Sequence, residues 1–239
     1  PCISYYDGTS TDLEYASKAN GVWTLETVDS GAGVGQSTSL ALDASGNPHI
    51  SYYDDANGDL KYAHRSNGVW ILETVDAAGT VGYYASLALD AAGNPRISYY
   101  DSTNSDLKYA SKAGGTWTIE TVTAGGIVGS YTSLALDGSG NPHISYQDGS
   151  FQDLKYAWKS GGSWTIEAVE SSGEVGQYTS LALDAEGVPH ISHCDFTNGD
   201  LKHASKPGAA SVGRCVEATG TLGRASSEEK EGPERCNRS

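Results

Sequence analysis

The sequence predicts an all-β protein built from five tandem copies of one unit, with minimal helix. The units begin at residues 1, 48, 95, 142 and 189, so each starts 47 residues after the last. The second and third units share 29 of 47 residues without a gap. Each unit holds four short runs rich in Tyr, Ile, Val, Thr and Trp, which suit strands. No stretch of the chain shows the 3.6-residue apolar period of a helix.

The second unit shows the basis for each predicted strand. Its strands are HISYYD (His49–Asp54), LKYAHR (Leu60–Arg65), WILETVD (Trp70–Asp76) and SLALD (Ser86–Asp90). Asn-Gly pairs between the first three runs favour tight antiparallel turns, because these residues tolerate positive φ. A longer connector, AAGTVGYYA, precedes SLALD, and Gly-Asn-Pro follows it. The unit therefore predicts a four-stranded antiparallel sheet.

Four strands in a repeat of about 40 to 50 residues predict one blade of a β-propeller. In SLALD, small residues alternate with leucine, which suits the crowded innermost strand. We therefore expect SLALD innermost, HISYYD second, DLKYA third and WTIETV outermost.

The unit SLALDxxGNPHISYYD…DLKYA…W(T/I)(I/L)ETV resembles the blade repeats of bacterial secreted and surface propellers. Five units of 47 residues are also similar in size, though not in residues, to the five-bladed tachylectin-type lectins. The resemblance covers residues 1–205 and implies an extracellular or cell-surface protein. The chain begins inside a repeat at Pro1 and shows no signal-peptide pattern, which we interpret as a processed chain or a fragment.

The repeat degrades after Ser205, and residues 206–239 are predicted to be a degenerate last blade strand and a poorly ordered tail. GTLGRASS (Gly220–Ser227) still falls in register with GTVGYYAS (Gly79–Ser86). The charged run EEKEGPE (Glu228–Glu234) stands where the next innermost strand is expected, and charges cannot line a crowded axis. Five blades are therefore predicted with closure uncertain: they close imperfectly, or they belong to a six- or seven-bladed ring.

Composition excludes some partners. The net charge of -15 and the pI near 4.6 disfavour nucleic acid, and no apolar run is long enough to insert into a membrane. The cysteines have no CxxC spacing, which argues against zinc and against a disulfide framework. Pairing of Cys2 with Cys194 and unpaired buried thiols are the alternatives. The sequence leaves the oligomeric state undetermined.

Antiparallel topology places the polar loops on one face. The VGxY connector should share that face with the loop between HISYYD and LKYA, where each unit has two aspartates five residues apart. These pairs are Asp7/Asp12, Asp54/Asp59, Asp101/Asp106, Asp148/Asp153 and Asp195/Asp200. They could cap the hairpin loop, bind calcium at Asp54, Asn57 and Asp59, or bind sugar hydroxyls.

The same face receives one tyrosine from each VGxY sequence, with Ser37 in its place in the first copy. An aromatic ring beside carboxylates and amides can hold a pyranose, and the alternative is that the rings wedge between blades. The candidate ligand-binding residues are Tyr84, Tyr131, Tyr178, Asp54, Asn57, Asp59, Asp101, Asp106, Asp148 and Asp153.

Two further positions recur in the units. Tryptophan on the outer strand (Trp23, Trp70, Trp117, Trp164) predicts packing at the rim, with a sugar-stacking platform as the alternative. Histidine beside the Gly-Asn-Pro turn (His49, His143, His190) is predicted at the surface.

Three functions compete. Repetition favours a non-catalytic extracellular recognition or adhesion module that binds glycans multivalently at sites between blades. A structural scaffold that binds a surface protein, without a small-molecule site, is the alternative. A glycoside hydrolase is third, because near-identical units do not give two carboxylates different pKa values; its candidates would be Asp43, Asp90, Asp137 and Asp184. No cofactor is expected apart from calcium in the aspartate loop.

Overall fold

The computed structural model describes residues 1–206, which form five antiparallel sheets and contain no helix. The sheets are offset from the sequence copies, because the last strand of each copy is the inner strand of the next sheet, and from here on a unit means one sheet. The first unit contains β1 (Cys2–Asp7), β2 (Asp12–Ala19) and β3 (Val22–Asp29). The second contains β4 (Val34–Leu42), β5 (Pro48–Asp54), β6 (Asp59–Ser66) and β7 (Val69–Asp76). The third contains β8 (Val81–Leu89), β9 (Pro95–Asp101), β10 (Asp106–Ala113) and β11 (Thr116–Thr123). The fourth contains β12 (Val128–Leu136), β13 (Pro142–Asp148), β14 (Asp153–Ser160) and β15 (Ser163–Glu170). The fifth contains β16 (Val175–Leu183), β17 (Pro189–Asp195) and β18 (Asp200–Ser205).

The sheet order confirms the predicted blade. Strands β4, β5, β6 and β7 are neighbours in that order, and the third and fourth units repeat the arrangement. Among residues 1–206, the first sheet has the three strands β1, β2 and β3 and no inner strand, and the last sheet has β16, β17 and β18. No sheet closes on itself within residues 1–206. The prediction for the tail falls, from residue 207 onward, outside the described residues.

The inner strand begins earlier than predicted. The sequence predicts that VGYY belongs to a connector, yet β8 begins at Val81 and ends at Leu89. The other inner strands begin and end at the corresponding residues. Its register against β9 shifts twice, between Val81 and Tyr83 and again between Tyr83 and Ser86. Each shift is a β-bulge, and bulges destroy the alternation of side chains by which a strand is found in a sequence.

Neighbouring units touch at a glycine of the inner strand. Gly129 has a φ of +106°, and a Cβ at this position would lie 2.8 Å from the Cα of Leu107 in the preceding unit. Leu107 is 0% exposed. The same contact joins Gly35 to Leu13, Gly82 to Leu60 and Gly176 to Leu154. The backbones therefore pack directly, which explains why each unit carries glycine here.

The tryptophans also join successive units. The Trp117 ring stands edge-on to Tyr62 of the preceding unit, with ring centroids 5.4 Å apart, and its Nε1 donates to Glu73 at 3.0 Å. Trp70 and Trp164 repeat both contacts. Trp23 belongs to the first unit and is 43% exposed. Three tryptophans thus pack between blades, as the rim-packing interpretation expected.

One smaller prediction needs correction, and one pair of alternatives is resolved. His49 is buried rather than at the surface, because its Nδ1 bonds the Tyr62 hydroxyl and its ring stacks on His64. Cys2 carries a free thiol in the structure, so the pairing with Cys194 does not form. Residues 1–206 contain no helix that is long and apolar enough to span a membrane.

Candidate functional site: a row of tyrosines

The inner strands of successive units lie side by side. Hydrogen bonds between these strands determine which residues meet at the candidate site. The backbone N–H of Leu87 donates to the Ser39 hydroxyl of the preceding inner strand at 3.0 Å. The same bond joins Leu134 to Ser86 at 3.0 Å, and further along Leu181 to Ser133 at 3.0 Å. Because this bond recurs between successive inner strands, equivalent residues of successive units become direct neighbours.

At the second bulge of each inner strand, one residue adopts a left-handed backbone conformation. Tyr84, Tyr131 and Tyr178 have φ values of 54°, 55° and 52°, a conformation that costs an L-residue about 1–2 kcal/mol. Ser37 has the same conformation, with a φ of 49°. The bulge is therefore a property of the fold, and three units use it to present a ring.

The three tyrosine rings form one row. The centroids of Tyr84 and Tyr131 are 4.6 Å apart, and those of Tyr131 and Tyr178 are also 4.6 Å apart. Tyr84 is 37% and Tyr178 50% exposed. Burial raises the pKa of Tyr84 and of Tyr131, so both hydroxyls stay protonated and can donate. The sequence placed these tyrosines on one face, but it did not show that the rings touch.

Small hydroxyl residues complete the site. A concavity of about 330 Å³ is lined by Ser37, Thr38, Tyr84, Ala85, Tyr131, Thr132, Tyr178 and Thr179. Its volume lies at the lower end of the range of small-ligand pockets, roughly 300–1,000 Å³. Sequence reasoning missed the residue that follows Ser37 and each of the three tyrosines, although its recurrence as Thr, Ala, Thr and Thr is visible in the aligned units. We call this concavity the tyrosine site.

The loop aspartates are engaged in capping. Asp54 is 2% exposed, and it accepts bonds from the backbone N–H and side-chain amide of Asn57 at 3.2 and 2.9 Å. Asp101 and Asn104 repeat both bonds at 3.0 and 2.9 Å. Burial acts to raise the pKa of Asp101, but the bonds from Asn104 and Lys108 outweigh it and lower the pKa. These contacts match the Asx-type interpretation of the sequence.

The same loop does not fit calcium. The ammonium group of Lys61 lies 3.7 Å from Asp54, and that of Lys108 lies 3.0 Å from Asp101. A protein ammonium and an amide donor thus already occupy carboxylate oxygens that a calcium ion would need. The side-chain N–H of Asn57 donates a hydrogen bond to Asp54, so Asn57 directs its amide nitrogen to that carboxylate, and Asp59 lies opposite Asp54 across the hairpin. Among residues 1–206, no group of three or more His, Cys, Asp or Glu side chains could hold a metal.

The remaining candidates belong to the same hairpins. Asp148 accepts the backbone N–H groups of Ser150 and Phe151 at 3.1 and 3.4 Å, and Phe151 stands where the loops of Asp54 and Asp101 have an asparagine. Asp153 is buried and lies 3.2 Å from Lys155. Burial, and next the charge of the partner aspartate, raise the pKa of Asp59 and of Asp106. The structure therefore brings the three tyrosines together and gives these aspartates loop and lysine partners.

The aspartates at the ends of the inner strands cap turns on the other face. Asp43 accepts backbone N–H groups of Ser45 and Asn47 at 2.9 and 2.7 Å. The Asn47 side chain, and next its backbone, lower the pKa of Asp43. Asp90, Asp137 and Asp184 accept the corresponding bonds and also have lowered pKa values.

Comparison with known proteins identifies the fold class. The repeated four-stranded sheets make this a β-propeller fold, and solved propeller structures resemble it. No protein-family model matches the chain, and no curated protein matches its sequence.

Similar solved structures include both a lectin and enzymes. A lectin from Aleuria aurantia, in complex with Fucα1-6GlcNAc, has a TM-score of 0.59 and 14% identity, covering 93% of this chain and 80% of the lectin. A polysaccharide lyase of the ulvan lyase type has a TM-score of 0.56 and 15% identity, covering 87% of this chain and 66% of the lyase. A putative 6-phosphogluconolactonase from Bacteroides uniformis has a TM-score of 0.56 and 11% identity, covering 91% of this chain and 66% of that protein. At these identities the likeness shows the fold alone.

Proposed function

We propose that the chain is a non-catalytic carbohydrate-binding module whose site is the tyrosine site. The observation that carries this proposal is the row of three partly exposed tyrosine rings, which line one concavity together with Ser and Thr residues. Aromatic faces pack against the C–H face of a pyranose, while hydroxyl groups bond its oxygens. Because the rings touch one another, the tyrosines favour one shared site over separate, equal sites between blades.

A neutral glycan is the partner that the charge supports. The net charge of -15 disfavours sialylated, sulfated or uronic-acid ligands. The similarity to the Aleuria aurantia lectin supports a glycan ligand. Glycans of this kind are displayed outside cells, so the proposal includes secretion or display at the cell surface.

The inner-strand aspartates, which were the candidates for a glycoside hydrolase, do not have the properties of a catalytic pair. A glycosidase uses one carboxylic acid with a raised pKa and a second carboxylate, which flank the reacting bond. The inner-strand aspartates instead have lowered pKa values and their oxygens bond the turn backbone, as for Asp90 and Asp137.

A glycan array probed with wild type, Tyr131→Ala and Trp23→Ala tests the proposal. Tyr131 is the middle ring of the row, so its loss should weaken binding at least about tenfold. Trp23 is an exposed aromatic on an outer strand, and its loss should leave binding unchanged. A chelator should have no effect, because the loop does not fit calcium. Loss of binding in Trp23→Ala alone, or no glycan bound by wild type, would refute the proposal.

A protein-interaction scaffold is the second candidate, and one observation favours it. The outer strand of each of the first four units exposes an apolar side chain at the same register. These residues are Leu25 at 64%, Leu72 at 42%, Ile119 at 39% and Ile166 at 41% exposure. Retention of a protein partner by wild type and by Tyr131→Ala, but not by Leu72→Lys, together with an empty glycan array, would favour the scaffold.

A further inference from the structure

The aromatic row does not end at Tyr178. The ring of Phe196 lies next to that of Tyr178, with ring centroids 6.4 Å apart, and Phe196 is partly exposed. Phe196 directly follows β17, and its counterparts in the other units carry no ring. These are Gly8, Asp55, Ser102 and Gly149. The fifth unit therefore extends the row by one ring, toward the loop between β17 and β18.

Hydrogen bonds hold the loop that carries Phe196. The backbone N–H of Phe196 donates to the carbonyl oxygen of Glu174 at 2.8 Å, and the Thr197 hydroxyl accepts the backbone N–H of Glu174 at 2.7 Å. Asp195 is 0% exposed and accepts the backbone and side-chain N–H groups of Asn198 at 3.1 and 2.8 Å. The backbone of Phe196 is therefore fixed before any ligand arrives, which reduces the entropy cost of binding.

A polar pair accompanies the two rings. The side-chain amide of Gln177 donates to the carboxylate of Glu174 at 2.8 Å. Gln177 precedes Tyr178 in the chain, and Glu174 is the backbone partner of Phe196. Both polar residues are partly exposed, and each has a second side-chain oxygen that can accept a hydrogen bond from a sugar hydroxyl. Ring, amide and carboxylate together are the groups that a pyranose needs.

No other unit within residues 1–206 combines a ring, a carboxylate and an amide at these positions. The counterparts of Glu174 are Gly33, Thr80 and Ile127, and those of Gln177 are Gln36, Tyr83 and Ser130. At the opposite end of the row, Tyr84 also has ring neighbours, Tyr83 and Tyr100, with centroids 6.5 and 6.4 Å away. The third unit has no carboxylate–amide pair to accompany them, since its residues there are Thr80 and Tyr83. The chemistry beside Tyr178 is therefore particular to the fifth unit.

We propose that Phe196, Gln177 and Glu174 form a second sugar subsite beside the tyrosine site, so that the ligand is a neutral oligosaccharide of at least two residues. One pyranose packs against the tyrosine row, and the adjoining sugar packs against Phe196 while its hydroxyls bond Glu174 and Gln177. A single sugar occupies the tyrosine site alone. This inference rests on the proposed function of the row in glycan binding.

An array that carries neutral glucans, mannans, galactans and fucosylated glycans, each from one to four residues long, tests the second subsite. Wild type should bind the two-residue form of its preferred glycan at least about tenfold more tightly than the single sugar. Phe196→Ala should remove this gain and leave the affinity for the single sugar unchanged. Gln177→Ala should reduce the gain in the same selective way.

Phe151→Ala is the matched control. Phe151 lies in the equivalent hairpin loop of the fourth unit and is 72% exposed, so its loss should leave the affinity for every glycan length as in wild type. The Tm of each variant should equal that of wild type, which shows that a loss of affinity does not come from unfolding.

The outcomes separate this inference from the proposed function. Equal affinity of wild type for one-residue and longer glycans would overturn the second subsite and leave glycan binding intact. An unchanged dependence on length in Phe196→Ala, or an equal loss at every length, would also overturn it, because Phe196 would then not hold the second sugar. Absence of binding to every glycan on the array would overturn the proposed function and this inference with it.

Discussion

Replacing Gly129 by alanine tests how closely the units pack. Gly129 lies in β12, and an added Cβ would come within 2.8 Å of both the Cα and the Cβ of Leu107. Leu107 lies in the third strand of the preceding sheet and is 0% exposed. Backbone cannot move aside as a flexible side chain can, so the substitution must push two sheets apart. A matched control is Gly140→Ala, because Gly140 also has positive φ, +80°, but a Cβ there meets nothing within 4 Å.

The expected cost has two parts. The left-handed conformation costs an L-residue about 1–2 kcal/mol at both positions. Forcing a methyl group into a close-packed interface adds about 1–3 kcal/mol at Gly129 alone. Gly129→Ala should therefore lower the free energy of unfolding by about 2–5 kcal/mol, against about 1–2 kcal/mol for Gly140→Ala.

Urea unfolding followed by far-ultraviolet circular dichroism measures both variants. The midpoints should fall while the slope with denaturant stays constant, since the surface exposed on unfolding is unchanged. Equal losses in the two variants would refute the reasoning, because the close approach would then contribute nothing. A smaller loss for Gly129→Ala would mean that the sheets are farther apart than the structure places them.

Two more predictions concern a pair of leucines at the same register and the buried histidines. Leu154→Ala should lower the free energy of unfolding by about 2–5 kcal/mol, since Leu154 is 0% exposed. Leu201→Ala, at the same register but 79% exposed, should cost less than about 0.5 kcal/mol; equal losses in urea would show that Leu201 is covered in solution. Burial lowers the pKa of four histidines below 6.5, so as the pH falls the unfolded state takes up protons first. The free energy of unfolding should be constant above about pH 7.5 and decline as the pH falls through 6.5, and a constant value down to about pH 5 would contradict this assignment. These histidines are His49, His64, His143 and His193.

The sequence predicted strand order well but the start of the inner strand poorly. Ser39 and Ala41 alternate with two leucines, and this pattern assigned the strand to the inner position that β4 has. The sequence predicts a connector over Val81 and Tyr83, because two bulges interrupt the alternation there. The unpredicted part of the strand is the part that carries the tyrosines.

The sequence by itself determined the unit, its four strands and the face on which the polar loops meet. Strand period and turn chemistry act within a few residues, and antiparallel strands alternate direction, so these features need no knowledge of distant contacts. Only the tertiary structure decided that Tyr84, Tyr131 and Tyr178 form one row. It also showed that Asp54 is a loop cap. The row depends on contacts between residues that lie 47 positions apart in the chain, and the cap depends on how the loop folds.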